Sequence, residues 1–140
     1  MAVVGSICLF MYNNLMKNTS RKKILLIDDD SIFTEIVTAF LGENYEVTAA
    51  QSGKEALAFL LNSYKPDLVL LDIILPEMNG WEIFKKIRGI NLMRSVPIVF
   101  LTSLTAFEGL ERAKKLGAAD YITKPYDNND LLARIEKILG

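Results

Sequence analysis

In Asp67-Leu68-Val69-Leu70-Leu71-Asp72-Ile73-Ile74-Leu75-Pro76-Glu77-Met78-Asn79-Gly80, a continuously apolar run ends abruptly on a carboxylate. Leu68 to Leu71 do not alternate with polar residues, so they read as a strand covered on both faces, as in the interior of a parallel sheet. Pro76 and Asn79-Gly80 then punctuate a loop. Asp72 stands where a core strand meets solvent. Many strands stop at a charged residue, so this acid gains meaning only from its neighbours in the fold.

On either side, strand-like and helix-like segments alternate with short connections, as expected for an α/β chain with a parallel sheet and helices on both faces. Strands are expected at about 23–28, 45–50, 67–72, 97–102 and 119–123, with five helices between and after them. In the first helix Ile32, Phe33, Ile36, Val37, Phe40 and Leu41 recur at helical spacing, and Gly42 ends it. The second opens on Ser52 with Glu55 three residues later, a capping box, and offers Ala56, Leu57, Leu60 and Leu61 to the core. The third begins near Gly80, turning Ile83, Phe84 and Ile87 inward with Trp81 at the edge of that face. The fourth repeats the box with Thr105 and Glu108 and presents Ala106, Leu110, Ala113 and Gly117 on one side. Gly109 lies inside it, where glycine costs about 1 kcal/mol relative to alanine, so this helix is expected to shift or fray most easily. Leu131, Leu132, Ile135, Ile138 and Leu139 form the stripe of the last.

Composition narrows the chemistry. With 140 residues, 51% of them hydrophobic, the chain suits one globular domain with a sizeable core. Sixteen Lys and Arg against 17 Asp and Glu give a net charge of -1, with no basic block, so direct nucleic-acid binding is not expected. Cys8 is the only cysteine, which excludes an internal disulfide framework and suits a reducing, cytoplasmic setting. The chain contains no histidine. Ser-His and Cys-His pairs and imidazole ligands are thereby excluded, leaving carboxylates, hydroxyls and lysines, and oxygen ligands favour a hard ion.

Residues 1–20 read as an N-terminal extension to a domain at 21–140. Ala2-Val3-Val4 and Ile7 to Tyr12 are apolar, but Asn13-Asn14 follow. The apolar stretch falls short of the roughly 20 residues a bilayer span needs, and a signal peptide's basic lead and cleavage site are missing. A loose extension, translated from a start upstream of Met16, is the favoured expectation over a weak anchor on a membrane or partner.

The polar residues fall together on this frame. The first strand ends in Asp28-Asp29-Asp30, the third in Asp72, the fourth in Thr102-Ser103 and the fifth in Thr123-Lys124-Pro125. Carboxyl ends of parallel strands share one edge, where ligands of open α/β sheets bind. Clustered carboxylates repel one another unless a cation joins them, and an all-oxygen site suits Mg²⁺. Lys124 adds a positive charge and Thr102 a hydroxyl. Around a carboxylate left free, such groups make a pocket for a phosphoryl group, with Asp72 as the in-line nucleophile.

The segments ILLIDDD at 24–30, LLDIILPEMNG at 70–80, PIVFLTS at 97–103 and DYITKPY at 120–126 occur in a distinctive order and spacing. From about Lys22 to Gly140 the chain resembles the receiver domain of two-component response regulators, in particular the small stand-alone receivers of chemotaxis and sporulation relays. The resemblance implies a flavodoxin-like (βα)5 fold with strand order 2-1-3-4-5. It makes Asp72 the phosphoacceptor, Asp29 a direct Mg²⁺ ligand, Asp28 its water-mediated partner and Ile74 the donor of a backbone carbonyl to the ion. Thr102 and Lys124 become the phosphoryl-sensing hydroxyl and lysine, Tyr121 the switching aromatic, and Lys124-Pro125 a cis peptide, a geometry open to proline. The implied donor is a phosphohistidine on a sensor histidine kinase or histidine phosphotransfer protein. The implied output is a protein-binding face of helix four, strand five and helix five, acting on a separate downstream protein because no output module is recognisable in these residues. Membrane contact by the extension is not expected.

Two residues after the phosphoacceptor and two after the hydroxyl, positions that flank the hydrolytic water in this family, stand Ile74 and Leu104. Neither orients water, so slow self-dephosphorylation is expected. Two rival readings use the same residues. A haloacid-dehalogenase-like phosphohydrolase would employ Asp28 and Asp30 as its Asp-x-Asp pair, but leaves Asp72 without a role. A receiver-shaped adaptor would bind partners without phosphorylation.

Overall fold

The computed structural model describes residues 5–12, 21–105 and 107–140. Five strands, β1 (Lys23–Ile27), β2 (Glu46–Ala50), β3 (Leu68–Leu71), β4 (Ile98–Thr102) and β5 (Asp120–Thr123), pair in parallel in the order β2-β1-β3-β4-β5. The helices packed on this sheet are α1 (Ser31–Leu41), α2 (Gly53–Leu61), α3 (Gly80–Arg88), α4 (Phe107–Leu116) and α5 (Asn128–Leu139). This is the doubly wound order that the resemblance implied, and the strands fall within one residue of their expected ends.

Period-two alternation along buried strands divides the core between the two faces of the sheet. Leu25, Ile27, Val69, Leu71, Ile98 and Phe100 pack with residues of α2, α3 and α4. Ile24, Leu26, Leu68, Leu70, Val99 and Leu101 pack with Val37 and Leu41 of α1 and Leu131 and Ile135 of α5. Every residue of β3 and β4 is buried, which is why those strands read as unbroken apolar runs.

Helix ends follow local side-chain chemistry. Asp30 caps α1 by accepting from the N–H groups of Ile32 and Phe33, and Asn79 and Asp127 cap α3 and α5 by accepting from Glu82 and Asp130. Ser52 caps α2 as expected, but the Glu55 carboxylate reaches the N–H of Gln51 instead of closing the reciprocal bond on Ser52. The cap expected at Thr105 borders residue 106, which lies outside the described residues, as does the expected inward role of Ala106.

Some helical faces differ from their periodicity. Ile32 and Ile36 of α1 and Leu61 of α2 are exposed, because an apolar stripe wider than the sheet beneath it leaves its flanks in water. Gly117 lies beyond α4 at φ +87°, a left-handed conformation that terminates the helix, and so does not extend its buried face. A 3-10 turn at Asn91–Met93 was not expected; Arg88 holds it by donating to the carbonyls of Met93 (2.9 Å) and Val96 (2.7 Å). Residues 5–12 form a short helix whose side chains are all exposed; the remainder of the expected extension, 1–4 and 13–20, lies outside the described residues. Among the described residues no helix is long and apolar enough to cross a membrane.

Candidate functional site

Register brings the acids together. β1 and β3 pair Ile27 with Leu71, so the next rung sets Asp28 beside Asp72, and both N–H groups continue the ladder, Asp28 to Ala50 and Asp72 to Ile27, each at 3.0 Å. Asp28 is 1% and Asp72 6% exposed, while Asp29 stands in solvent. One carboxylate oxygen from each of the three lies within 4.8 Å of the others. This all-oxygen set fits a hard divalent ion such as Mg²⁺.

Lys124 answers the negative charge from the far side of β4. Its Nζ donates to Asp28 Oδ2 at 2.6 Å and to Asp72 Oδ2 at 3.3 Å. The same ammonium lies 3.8 Å from the centroid of the Phe33 ring, which meets Tyr126 edge-on at 6.0 Å. Behind the lysine, its backbone N–H donates to the Thr102 carbonyl at 2.8 Å, and the Lys124-Pro125 peptide is cis. Backbone donors steer the acids: the Asp30 N–H bonds Asp28 Oδ1 (2.9 Å) and the Ile74 N–H bonds Asp72 Oδ1 (3.1 Å). Burial pushes the Asp28 carboxyl above its ordinary 3.8 and the Asp72 charge adds to the rise, against the hydrogen bonds from Lys124 and Asp30.

Thr102 is fully buried at the end of β4, and its Oγ1 accepts from the Leu104 N–H at 3.3 Å. The Leu104 carbonyl in turn accepts from the Tyr121 hydroxyl. Tyr121 is half-buried, with its ring 6.1 Å from Phe100; burial, with the Asp72 charge adding to it, pushes its phenol up and keeps it a neutral donor. Ile74 is exposed at the rim, whereas Leu104 packs inward toward α4.

Asp28, Asp29, Asp72 and Lys124 therefore converge, Thr102 and Tyr121 are joined through the Leu104 peptide, and Ile74 follows Asp72 directly. Asp30, one half of the hydrolase pair, is turned away as the cap of α1. Sequence reading missed Phe33, which seats the lysine, and Gly80, where a Cβ would stand 2.4 Å from the Asp72 carbonyl oxygen. Gly80 had a signal in the Asn79-Gly80 pair, but that pair marked a turn and carried no hint of the close backbone approach.

Residues 24–136 match the family model described as the response regulator receiver domain. The chain is 42% identical over 121 residues to the transcriptional regulatory protein CrdR of Helicobacter pylori, covering 86% of this chain and 56% of the relative. It is also 42% identical over 120 residues to the CpxR homolog of Haemophilus influenzae, covering 84% and 50%. The chain thus spans about half the length of the curated relatives it matches. Among solved structures, the chemotaxis protein CheY4 of Vibrio cholerae superposes with a TM-score of 0.80 at 30% identity, over 86% of this chain and all 100% of that one. A CheY-like receiver domain protein of Methanospirillum hungatei gives 0.78 at 34% identity, over 86% and 94%.

Proposed function

The chain belongs to the response regulator receiver domain family, and from that premise we propose that it is a phosphoryl-accepting switch whose acceptor is Asp72. Supporting this most strongly is the Lys124 ammonium held at once by Asp28 and Asp72, a cation at the acid whose second oxygen must take up a phosphoryl group. A carboxylate oxygen of Asp72 attacks phosphorus in line. The bond from phosphorus to the donor's histidine nitrogen breaks, that nitrogen keeps the electron pair and takes a proton, and an acyl phosphate is left on Asp72. Lys124 and the Thr102 hydroxyl bind the phosphoryl oxygens. Asp28, Asp29, Asp72 and the Ile74 carbonyl would hold Mg²⁺, which when bound supplies charge neutralisation for the transferring group.

The chain is not a turnover enzyme in this reading; it catalyses its own phosphorylation and dephosphorylation. The donor is a phosphohistidine on a sensor histidine kinase or histidine phosphotransfer protein in the cytoplasm. The output is a population shift of the α4, β5 and α5 face toward a protein target, driven as Thr102 is drawn to the phosphoryl group and Tyr121 takes the space beside it. The relatives' name, transcriptional regulatory protein, describes chains about twice as long, and no DNA-directed activity is carried over to these residues. Ile74, apolar and exposed at the rim, slows hydrolysis of the acyl phosphate.

The test is to incubate the purified chain with acetyl phosphate and Mg²⁺ and follow intact mass. One phosphoryl gained by the parent and none by Asp72→Ala is expected, with slow decay once the donor is removed. A gain that survives Asp72→Ala refutes the assignment. No gain while free phosphate accumulates favours the hydrolase, and no reaction at all favours an adaptor.

A further inference from the structure

Gly109 is where α4 comes nearest to the aromatic of β5. A Cβ built there would stand 2.9 Å from the Tyr121 hydroxyl oxygen, closer than real Cβ contacts come, and a tight 3.2 Å from Leu104 Cδ2. The space that a side chain would need is filled by the tyrosine hydroxyl, donating to the Leu104 carbonyl. Gly109, expected to weaken its helix, is buried within the first turn of α4 and makes room for this bond.

If that room were removed, one of three parts would have to yield. The helix is pinned: Ala113, one turn on, is 1% exposed, and Arg112 lies 4.6 Å above the ring of Trp81 in α3. Trp81 is itself buried, with its ring 4.9 Å from Phe100. Leu104 is held at its backbone N–H by Thr102, and the tip of its side chain needs to give only a few tenths of an ångström, which does nothing to relieve the closer contact at the tyrosine hydroxyl. The remaining part is the end of the tyrosine side chain, which leaves by rotating about χ1.

We propose that Gly109 sets the resting position of the Tyr121 switch, so that the unphosphorylated chain already populates the state with the hydroxyl turned in against Leu104. This rests on the receiver reading and adds the residue that biases its equilibrium. A phosphoryl group that favours the inward state then has a smaller gap to close, and by linkage an inward-biased chain takes up the group more readily.

The test is a cycle of Gly109→Ala, Tyr121→Phe and the double variant in the full chain. It is read by ring resonances of ¹³C-labelled tyrosine, by the rate of phosphoryl gain from acetyl phosphate with Mg²⁺, and by urea midpoint. In the parent background Gly109→Ala should displace the Tyr121 resonances and slow phosphoryl gain about threefold or more. In the Tyr121→Phe background, where the hydroxyl that would clash is gone, the same change should leave the rate unaltered and raise the urea midpoint, as Gly→Ala does in an unconstrained helix. Unmoved Tyr121 resonances, or equal slowing in both backgrounds, overturns the proposal. If the parent gains no phosphoryl group, the receiver reading fails by itself, and the resonances and midpoints still decide whether position 109 seats the hydroxyl.

Discussion

The two sides of the carboxyl edge are built on different physics. On the β1–β3 side, groups are fixed by charge and by backbone: Asp28 and Asp72 are buried, each takes a backbone N–H, and both bind one ammonium. On the α4–β5 side, Tyr121, Leu104, Gly109 and Trp81 are fixed mainly by shape, with the tyrosine hydroxyl donating to the Leu104 carbonyl. The two glycines at the starts of α3 and α4 express the contrast. A Cβ added at Gly80 would meet backbone, 2.4 Å from the Asp72 carbonyl oxygen and 2.6 Å from the Ile73 Cα, whereas one added at Gly109 would meet the tips of two side chains. The chemistry is thus packed against backbone, and the response against side-chain tips that can turn.

The sharpest way to break this comparison is to make the same substitution at both glycines. Gly80→Ala should destabilise the chain by about 3 kcal/mol in urea unfolding, since backbone must move to admit the methyl group and the gain in helix propensity is only about 1 kcal/mol. Gly109→Ala should change stability by under about 1 kcal/mol. Equal losses would mean that both sides are equally rigid.

Lys124→Met comes next. It strips two buried carboxylates of their shared cation and should cost about 2 kcal/mol in chelator, part of which millimolar Mg²⁺ restores, because the same acids then meet a different cation. Failure of Mg²⁺ to restore anything would separate the acids from the ion. On the other side, Arg112→Ala removes the guanidinium from the Trp81 ring, an exposed contact worth about 0.5–1 kcal/mol in urea unfolding. A loss as large as that of Lys124→Met would show that the aromatic side is tied as firmly as the acidic one.

The smallest effect lies in pH. The folded chain holds a proton on Asp28 more tightly than the unfolded chain does, since burial raises its carboxyl above 3.8. Its contribution to stability is therefore full below the unfolded value and is lost as pH rises through the raised folded value. In chelator, the difference in unfolding free energy between parent and Asp28→Asn should shift over that window. A flat difference would place Asp28 in a far more polar setting than its burial indicates.

How much of this was legible in the chain depended on how local the cause was. The strands, the Ser52 cap and the convergence of Asp28, Asp29, Asp72 and Lys124 follow from apolar runs, from the Ser52–Glu55 spacing and from the rule that parallel strands share their carboxyl edge. Ile32, Ile36 and Leu61 misled because periodicity gives the direction of a face and not the width of sheet available to cover it. Phe33 beneath Lys124, Gly80 against Asp72 and Gly109 against Tyr121 were invisible for another reason. Each is a contact between segments whose relative height is fixed only when the sheet and helices have packed. Gly109 was read as a cost to its own helix, when its meaning lay in another strand.

Trp81 is the only tryptophan of the 140 residues, and it lies between Phe100 and the Arg112 guanidinium at the seam of α3 and α4. The molecule accordingly carries its own optical gauge at the seam where its rigid and yielding halves meet. Emission from that indole, excited selectively over the tyrosines, would follow any parting of the two helices in a stopped-flow cell, with no label attached.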